Sequence, residues 1–377
     1  FEFPLGYDKS LELVIDPILI FSTYSGSPAD NWGNTATFGE NGKLYSGGIT
    51  NHFGNNSEER IFPATPGAFQ TTWGGLWDVA IFKYDSAGTM VEYATYLGGS
   101  DVEVPHSIIM NSRYELVIYG TTGSNDFPVT NGAYQTMFMG GATIQTTFSN
   151  PYSSGSDSFI AILSEDGSEL VASTFFGGDS KDGISPTSSQ LTKNYGDEHR
   201  GEVFLDTNDN VLVAGTTSSQ NLFDDIDVSF NKIYQGGATD GFIIELSDDL
   251  THLNWGGYLG GSMSDVGLGT KVDATGNVYV TGGTNSPDFT LPMSAVDGSY
   301  NGGIDGWIVK VYNTGGSIIT GTFVGTAQYD QCYFIDLDSD GGVYVYGQTD
   351  GVFPNATGTS LGNGQFVQKY DADISST

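Results

Sequence analysis

Carboxylates dominate the chemistry this sequence could do. Asp and Glu number 45 against 12 Lys and Arg, for a formal net charge of −33. One acid recurs in each repeating segment, four residues beyond a glycine that closes an aromatic run: Asp30, Glu103, Asp182, Asp265 and Asp330, the last with Thr326 in place of the glycine. The spacing puts each of them in the loop entering the innermost strand of a repeated unit, so that together they would ring one mouth of a central channel. A carboxylate ring suits a cation or a polyol. One acid per unit equally suits a structural role, in which each carboxylate accepts hydrogen bonds from backbone N–H groups and locks its loop to a neighbour. A second cluster is Asp336-Leu-Asp338-Ser-Asp340-Gly341. Three carboxylates at alternating positions and a turn glycine suit a hard cation such as Ca²⁺. The acid that closes an EF-hand loop is missing, since Gly347 stands at the twelfth position, and a solvated turn is the competing reading. Asp206-Thr-Asn208-Asp209-Asn210 is a weaker version of the same pattern.

Other chemistries find less support. His52, His106, His199 and His252 show no ligand spacing among themselves. There is no Gly-x-Ser-x-Gly elbow and no phosphate loop ending in Gly-Lys-Ser/Thr. The charge argues against nucleic acid and anionic membrane surfaces, both of which need clustered Lys and Arg. Cys332 is the one cysteine, which excludes an internal disulfide framework and a thiolate zinc site. No apolar stretch approaches the ~20 residues of a membrane span. Long inserts at 51–62, 136–156 and 183–199 could carry binding residues on a rigid scaffold. The second holds Met137, Phe138 and Phe148 among amides, which suits sugar rings or simply covers a sheet edge.

The elements that must position these residues are strands. Asp78-Val-Ala-Ile-Phe-Lys-Tyr recurs as Asp157-Ser-Phe-Ile-Ala-Ile-Leu, Asp240-Gly-Phe-Ile-Ile-Glu-Leu and Asp305-Gly-Trp-Ile-Val-Lys-Val. Thr95-Tyr-Leu-Gly-Gly recurs as Thr174-Phe-Phe-Gly-Gly and Gly257-Tyr-Leu-Gly-Gly. Val278-Tyr-Val-Thr-Gly-Gly-Thr recurs as Val211-Leu-Val-Ala-Gly-Thr-Thr. These are short β-branched and aromatic runs bounded by turn residues, with no helical periodicity, so the 54 glycines read as turn chemistry. Four strands per unit predict an all-β chain, a β-propeller, with one unit's strands near 267–273, 277–283, 305–312 and 318–324. The run from Ile18 matches only a fourth strand, and Gln365–Asp371 only a third. Together they predict a split blade, five four-stranded blades in all, with the N-terminal strand closing the last; the alternative is part of a larger, seven-bladed propeller. Residues 18–371 form the propeller on this reading. Residues 1–17 read as the end of a preceding domain or linker, and 372–377 as a tail or the start of a linker.

The Tyr-Leu-Gly-Gly-Ser, Asp-x-x-Gly-Asn-Val-Tyr-Val-x-Gly and Phe-Pro-x-Thr-x-Gly-Ala-x-Gln segments resemble the SBBP family of bacterial β-propeller repeats, over residues 18–371. The resemblance implies a secreted or cell-surface location in a large protein of Bacteroidota, of the kind exported by type IX secretion and linked to gliding or attachment. It supplies no catalytic residues. The expectation is a non-enzymatic module that meets a protein or surface glycan, the other domains of its chain, or secretion and motility machinery, without nucleic acid or membrane insertion. Calcium is the one cofactor the acids suggest. The alternative is a glycoside hydrolase or lectin-like propeller using channel-mouth acids such as Asp182 and Asp265.

Overall fold

The computed structural model describes residues 20–51, 61–147, 151–186, 189–292, 295–353 and 364–376. These residues form five antiparallel sheets in a β-propeller arrangement. The first sheet contains β1 (Asp30–Phe38), β2 (Leu44–Asn51), β3 (Asp78–Tyr84) and β4 (Val91–Leu97) in that spatial order. The second contains β5 (Glu103–Met110), β6 (Leu116–Thr122), β7 (Asp157–Leu163) and β8 (Leu170–Phe176). The third contains β9 (Glu202–Leu205), β10 (Val211–Thr217), β11 (Asp240–Leu246) and β12 (Leu253–Leu259). The fourth contains β13 (Asp265–Val272), β14 (Val278–Thr284), β15 (Asp305–Val311) and β16 (Ile318–Val324), close to the expected limits. The fifth has three strands, β17 (Asp330–Leu337), β18 (Val343–Thr349) and β19 (Gly364–Tyr370).

The sequence dictates this arrangement through burial. In β3, β6, β7, β10, β11, β14 and β15 every residue is buried, which is why those runs are nearly continuously apolar rather than alternating. Their faces interleave between sheets: Tyr119 and Ile162 of the second sheet share a core with Val213, Phe242 and Ile244 of the third. At roughly 25 cal/mol per Å² of apolar surface removed from water, these faces supply the main adhesion between sheets.

Residues 1–17 lie outside the described residues. The run from Ile18, described from Ile20, does not pair with β19, so the fifth sheet has three strands among the described residues. Beyond β19 the chain makes a closed turn over residues 371–376. The Asp371 amide donates to the Ser376 carbonyl (3.0 Å), and Ile374 is fully buried because it fills a gap in the fifth core.

Candidate functional site

Four of the five recurring acids meet a second series. Glu103, Asp182, Asp265 and Asp330 are fully buried; three open their inner strands, and Asp182 makes an isolated bridge to Thr217 ahead of the excursion to β9. Glu103 accepts from the Gly99 amide (2.9 Å) and the Thr122 hydroxyl (2.7 Å). Asp182 accepts from Gly178 N (2.8 Å) and Ser219 Oγ (2.9 Å), Asp265 from Gly261 N and Ser286 Oγ (both 2.8 Å), and Asp330 from Thr326 N (2.6 Å). Each ties the exit turn of one sheet to the inner strand of the next. Asp78, Asp157, Asp240 and Asp305 open the third strand of the preceding sheet and are also fully buried. They accept from loop amides such as Gly74 N and Met139 N, both at 2.8 Å. The two series meet across a glycine: a Cβ on Gly98 would touch both Asp78 and Glu103, one on Gly177 both Asp157 and Asp182, and one on Gly260 both Asp240 and Asp265. That contact is why the repeat carries glycine there.

Burial pushes these carboxyls up: Asp78 and Asp157 to about 6, Asp265 and Asp305 to about 7, and Glu103, Asp182 and Asp240 to about 8. The neighbouring acid adds to the rise in several pairs, as Asp78 does for Glu103 and Asp157 for Asp182. Two charges this close cannot both ionise cheaply out of water.

Asp30 requires a correction. It is exposed and lies opposite Asn51, whereas Asn31 lies opposite Thr50, the register of Glu103 with Thr122 and Asp265 with Thr284. The strand bulge confirms this register, falling two residues after Asn31, as it does after Glu103 and Asp265. Thr23-Tyr24-Ser25-Gly26 aligns with Thr95-Tyr96-Leu97-Gly98, so Gly26 is the first glycine of its motif and counting from it lands one residue early.

The axial cavity lies elsewhere. It has a volume of about 750 Å³ and is lined by the inner strands β1, β5, β9, β13 and β17, and none of the five recurring acids lines it. Asp182 and Asp265, the hydrolase candidates, are therefore shut away from it under their glycine turns. The cavity owes its shape to the 183–199 insert. After Asp182 bridges to Thr217 the chain leaves the sheet and returns only at β9, which is why β9 has four residues. The excursion crosses the end of the cavity where the inner strands begin. Leu191 packs with Val266, Leu268 and Tyr333, and Asn194 Nδ2 donates to Tyr333 Oη (2.7 Å) and Gln348 Oε1 (2.9 Å). On the other side the Glu198 carboxylate accepts from Thr147 N (2.8 Å) and Oγ1 (2.5 Å), in the 136–156 insert. This strap leaves the cavity open toward the strand ends, where Phe38 is 78% exposed, while Phe334, midway along β17, is 52% exposed.

The strap also delivers chemistry. His199 comes to 6.1 Å from His106, ring centre to ring centre, a pairing that sequence spacing could not show because one lies on β5 and the other on the strap. His52 lies outside the described residues. Thr121 Oγ1 donates to Gly183 O (3.0 Å), so at 2.9 Å His106 Nε2 is the donor to Thr121. His199 Nε2 lies 2.9 Å from Tyr152 Oη. Burial holds both imidazoles below their usual range, His199 to about 4, so both are neutral near pH 7. Glu202 Oε1 lies 2.6 Å from Lys271 Nζ, and Oε2 accepts from Thr270 N (2.8 Å). Burial raises Glu202, Lys271 opposes that rise, and Asp336, which also lines the cavity, adds to it. The Arg200 guanidinium lies over Tyr333 (5.0 Å) and Phe334 (5.5 Å).

The calcium expectation also needs correction. Asp336 faces the cavity, whereas Asp338 and Asp340 belong to the turn beyond β17 and line a separate cleft with Lys369. Asp338 Oδ1 accepts from Gly342 N (2.6 Å) and Asp340 N (3.1 Å), and Oδ2 pairs with Lys369 (2.7 Å). Asp273 holds its own turn in the same way, accepting from Thr275 N and Asn277 N, as does Asp206 with Asn208 N and Asn210 N. These are hairpin turns held by one Asp each. Among the described residues no three His, Cys, Asp or Glu side chains are gathered to hold a metal ion. Nor is any helix among them long and apolar enough to cross a membrane.

No family model matches the chain, and no curated protein matches it. Solved structures do. A protein of unknown function from Dyadobacter fermentans is 10% identical over 94% of this chain and 83% of its own, with a TM-score of 0.43. A point mutant of the NanB sialidase from Streptococcus pneumoniae is 10% identical over 95% and 63%, with a TM-score of 0.43. A GH43 β-xylosidase/α-arabinofuranosidase from a compost metagenome is 11% identical over 93% and 94%, with a TM-score of 0.33. Likeness at this level carries no argument about activity.

Proposed function

We propose that the chain is a ligand-binding β-propeller of five blades, and that it takes a glycan into the axial cavity without cleaving it. The observation that carries this reading is the cavity itself: a volume of about 750 Å³ closed at one end by the strap, with exposed aromatic rings beside polar side chains. Aromatic faces cover the apolar face of a sugar, while His199, Glu202 and Asp336 offer partners to its hydroxyls. Calorimetric titration with a panel of oligosaccharides tests it. Saturable binding that weakens at least tenfold in Phe334→Ala is the expected outcome, and no binding to any member of the panel sinks the reading.

Glycoside hydrolysis is the second reading, and one observation favours it: Glu202, with its raised carboxyl, lines the same cavity as Asp336, and hydrolases need two acids held in unlike states. The Lys271 contact and the Thr270 amide bond both favour the charged form of Glu202, which opposes its use as an acid. Turnover of aryl glycosides that is lost in Glu202→Gln would establish this reading over the first.

The repeat resemblance supports a place outside the cell, within a larger SBBP-type surface protein that contacts other domains or secretion and motility machinery. The sequence flanking this chain in its gene is the test, and a C-terminal sorting domain is the expected finding. Ring closure by the N-terminal segment belongs to the same proposal. Phe21 lies directly over Gly88, as Tyr93 of β4 lies over Gly167 and Trp255 of β12 over Gly315. Phe21 thus occupies the place a fourth strand's aromatic takes against the next sheet.

A further inference from the structure

Among the described residues most cations are consumed by the acid excess. Lys43, Lys83, Arg113, Lys271 and Lys369 each meet at least one carboxylate within 3 Å. Arg200 is different. Its Nε lies 3.2 Å from Asp197 Oδ1, and its two terminal nitrogens have no hydrogen-bond partner among the described residues. The side chain does not trail into solvent: the guanidinium rests over Tyr333 and Phe334, lines the axial cavity, and is 29% exposed. Asp197 is itself fixed, accepting from Asn194 N (2.7 Å) and Tyr333 Oη (3.1 Å). The planar fork therefore has one carboxylate beside its inner edge, in ion-pair contact without a hydrogen bond, and two rings at its face, with its outer edge uncommitted. A guanidinium presented in this way matches a carboxylate through two parallel N–H···O bonds.

We propose that Arg200 is an anion clamp, and that the cavity selects sugars carrying a carboxylate, the hexuronates. The proposal rests on the glycan reading above and narrows it. The other cavity charges fit the assignment. Lys271 is held by Glu202, so it does not compete for the ligand's carboxylate, and Glu202 and Asp336 remain as acceptors for sugar hydroxyls. Phe334 serves both as a bed for the guanidinium and as an exposed ring against which the sugar lies. The strap carries both Arg200 and Asp197, so the segment that closes the cavity also supplies its selectivity.

The experiment compares oligosaccharides ending in glucuronate or galacturonate with their neutral glucose and galactose counterparts, by calorimetry on the full chain. Wild type is expected to bind the uronates about tenfold more tightly than the neutral sugars, and to lose that preference as salt is raised. Arg200→Gln is expected to bring the uronate affinity down to that of the neutral sugars measured on the same variant. Arg200→Lys keeps the charge without the fork and is expected to restore only part of it. Equal affinity of wild type for uronate and neutral sugars overturns the clamp and leaves the glycan reading standing. A preference that survives in Arg200→Gln also overturns it. Failure of every sugar to bind removes both readings. If Arg200→Gln does not fold, the salt dependence of wild type and the Arg200→Lys affinities still decide the matter.

Discussion

Glu103 and Asp78 press on opposite sides of Gly98, and the same trio recurs with Asp182, Asp157 and Gly177, and with Asp265, Asp240 and Gly260. The glycine spacing and the acid after it are plain in the sequence, and so is the aspartate opening each third strand. What the sequence does not show is that the two acids touch, because they belong to different sheets and meet only when the sheets pack. The fifth junction makes the coupling visible. There Asn31 replaces the inner-strand acid and Gly364 stands where the third strand would open with aspartate, so both members are lost together. The pairs have a consequence for pH. In an unfolded chain these carboxyls protonate near pH 4, whereas burial in the folded chain pushes the seven named above to between about 6 and about 8. The folded state therefore holds more protons across that window. The stability they contribute is complete below about pH 4 and is lost as pH rises through the folded values. The melting temperature is expected to fall by several degrees between pH 5 and pH 9, and Glu103→Gln, which keeps the shape without the charge, is expected to flatten the slope. A melting temperature that rises over this range counts against the pairs as protonated contacts.

At the scale of elements, sheet order is written in side-chain size. The turn after the third strand of each sheet holds one residue in the left-handed region: Gly88, Gly167, Leu250, Gly315 and Ile374. Where it is glycine, the preceding fourth strand covers it with an aromatic ring, as Tyr93 does for Gly167 and Trp255 for Gly315. Where it is Leu250, the corresponding residue is Ala172, and both lie in one core. The counterpart of Ile374 is Thr320 by the same position, so each junction pairs one large side chain with one small one. Leu250→Gly is expected to cost about 3 kcal/mol by emptying a fully buried site. Ala172→Tyr alone is expected to overpack against Leu250. The double variant rebuilds the Tyr93–Gly167 arrangement, and its denaturation midpoint should recover most of the loss; additive losses would show that the two positions are independent. Sequence repeats located these strands closely because turn residues and β-branched runs act locally. The strap was legible only as an insert, since its position depends on contacts with Thr147, Gln348 and Tyr333 that lie far from it in the chain.

At the scale of the whole molecule, a ring closed as proposed would have a seam between the fifth and first sheets unlike the other junctions. It lacks the carboxyl pair, and β19 lies at the outer side of a three-stranded sheet. An uncovered strand edge is a template for another chain. Removing residues 1–26 is therefore expected to lower the melting temperature and to promote concentration-dependent association, measured by light scattering, whereas Phe21→Ala alone should lower stability without association. An unchanged, monomeric truncated chain would show that the N-terminal segment does not close the ring. The strap has a different implication. A tube open at both ends lets a polymer thread through and be gripped anywhere along its length, whereas a cup admits only a terminus. With Arg200, His199 and Tyr195 on its floor, this cup would read the last unit of a chain and ignore its interior. Sites would then be counted by the number of chain ends, not by mass, so trimming a long ligand into short pieces should multiply its capacity to occupy the protein.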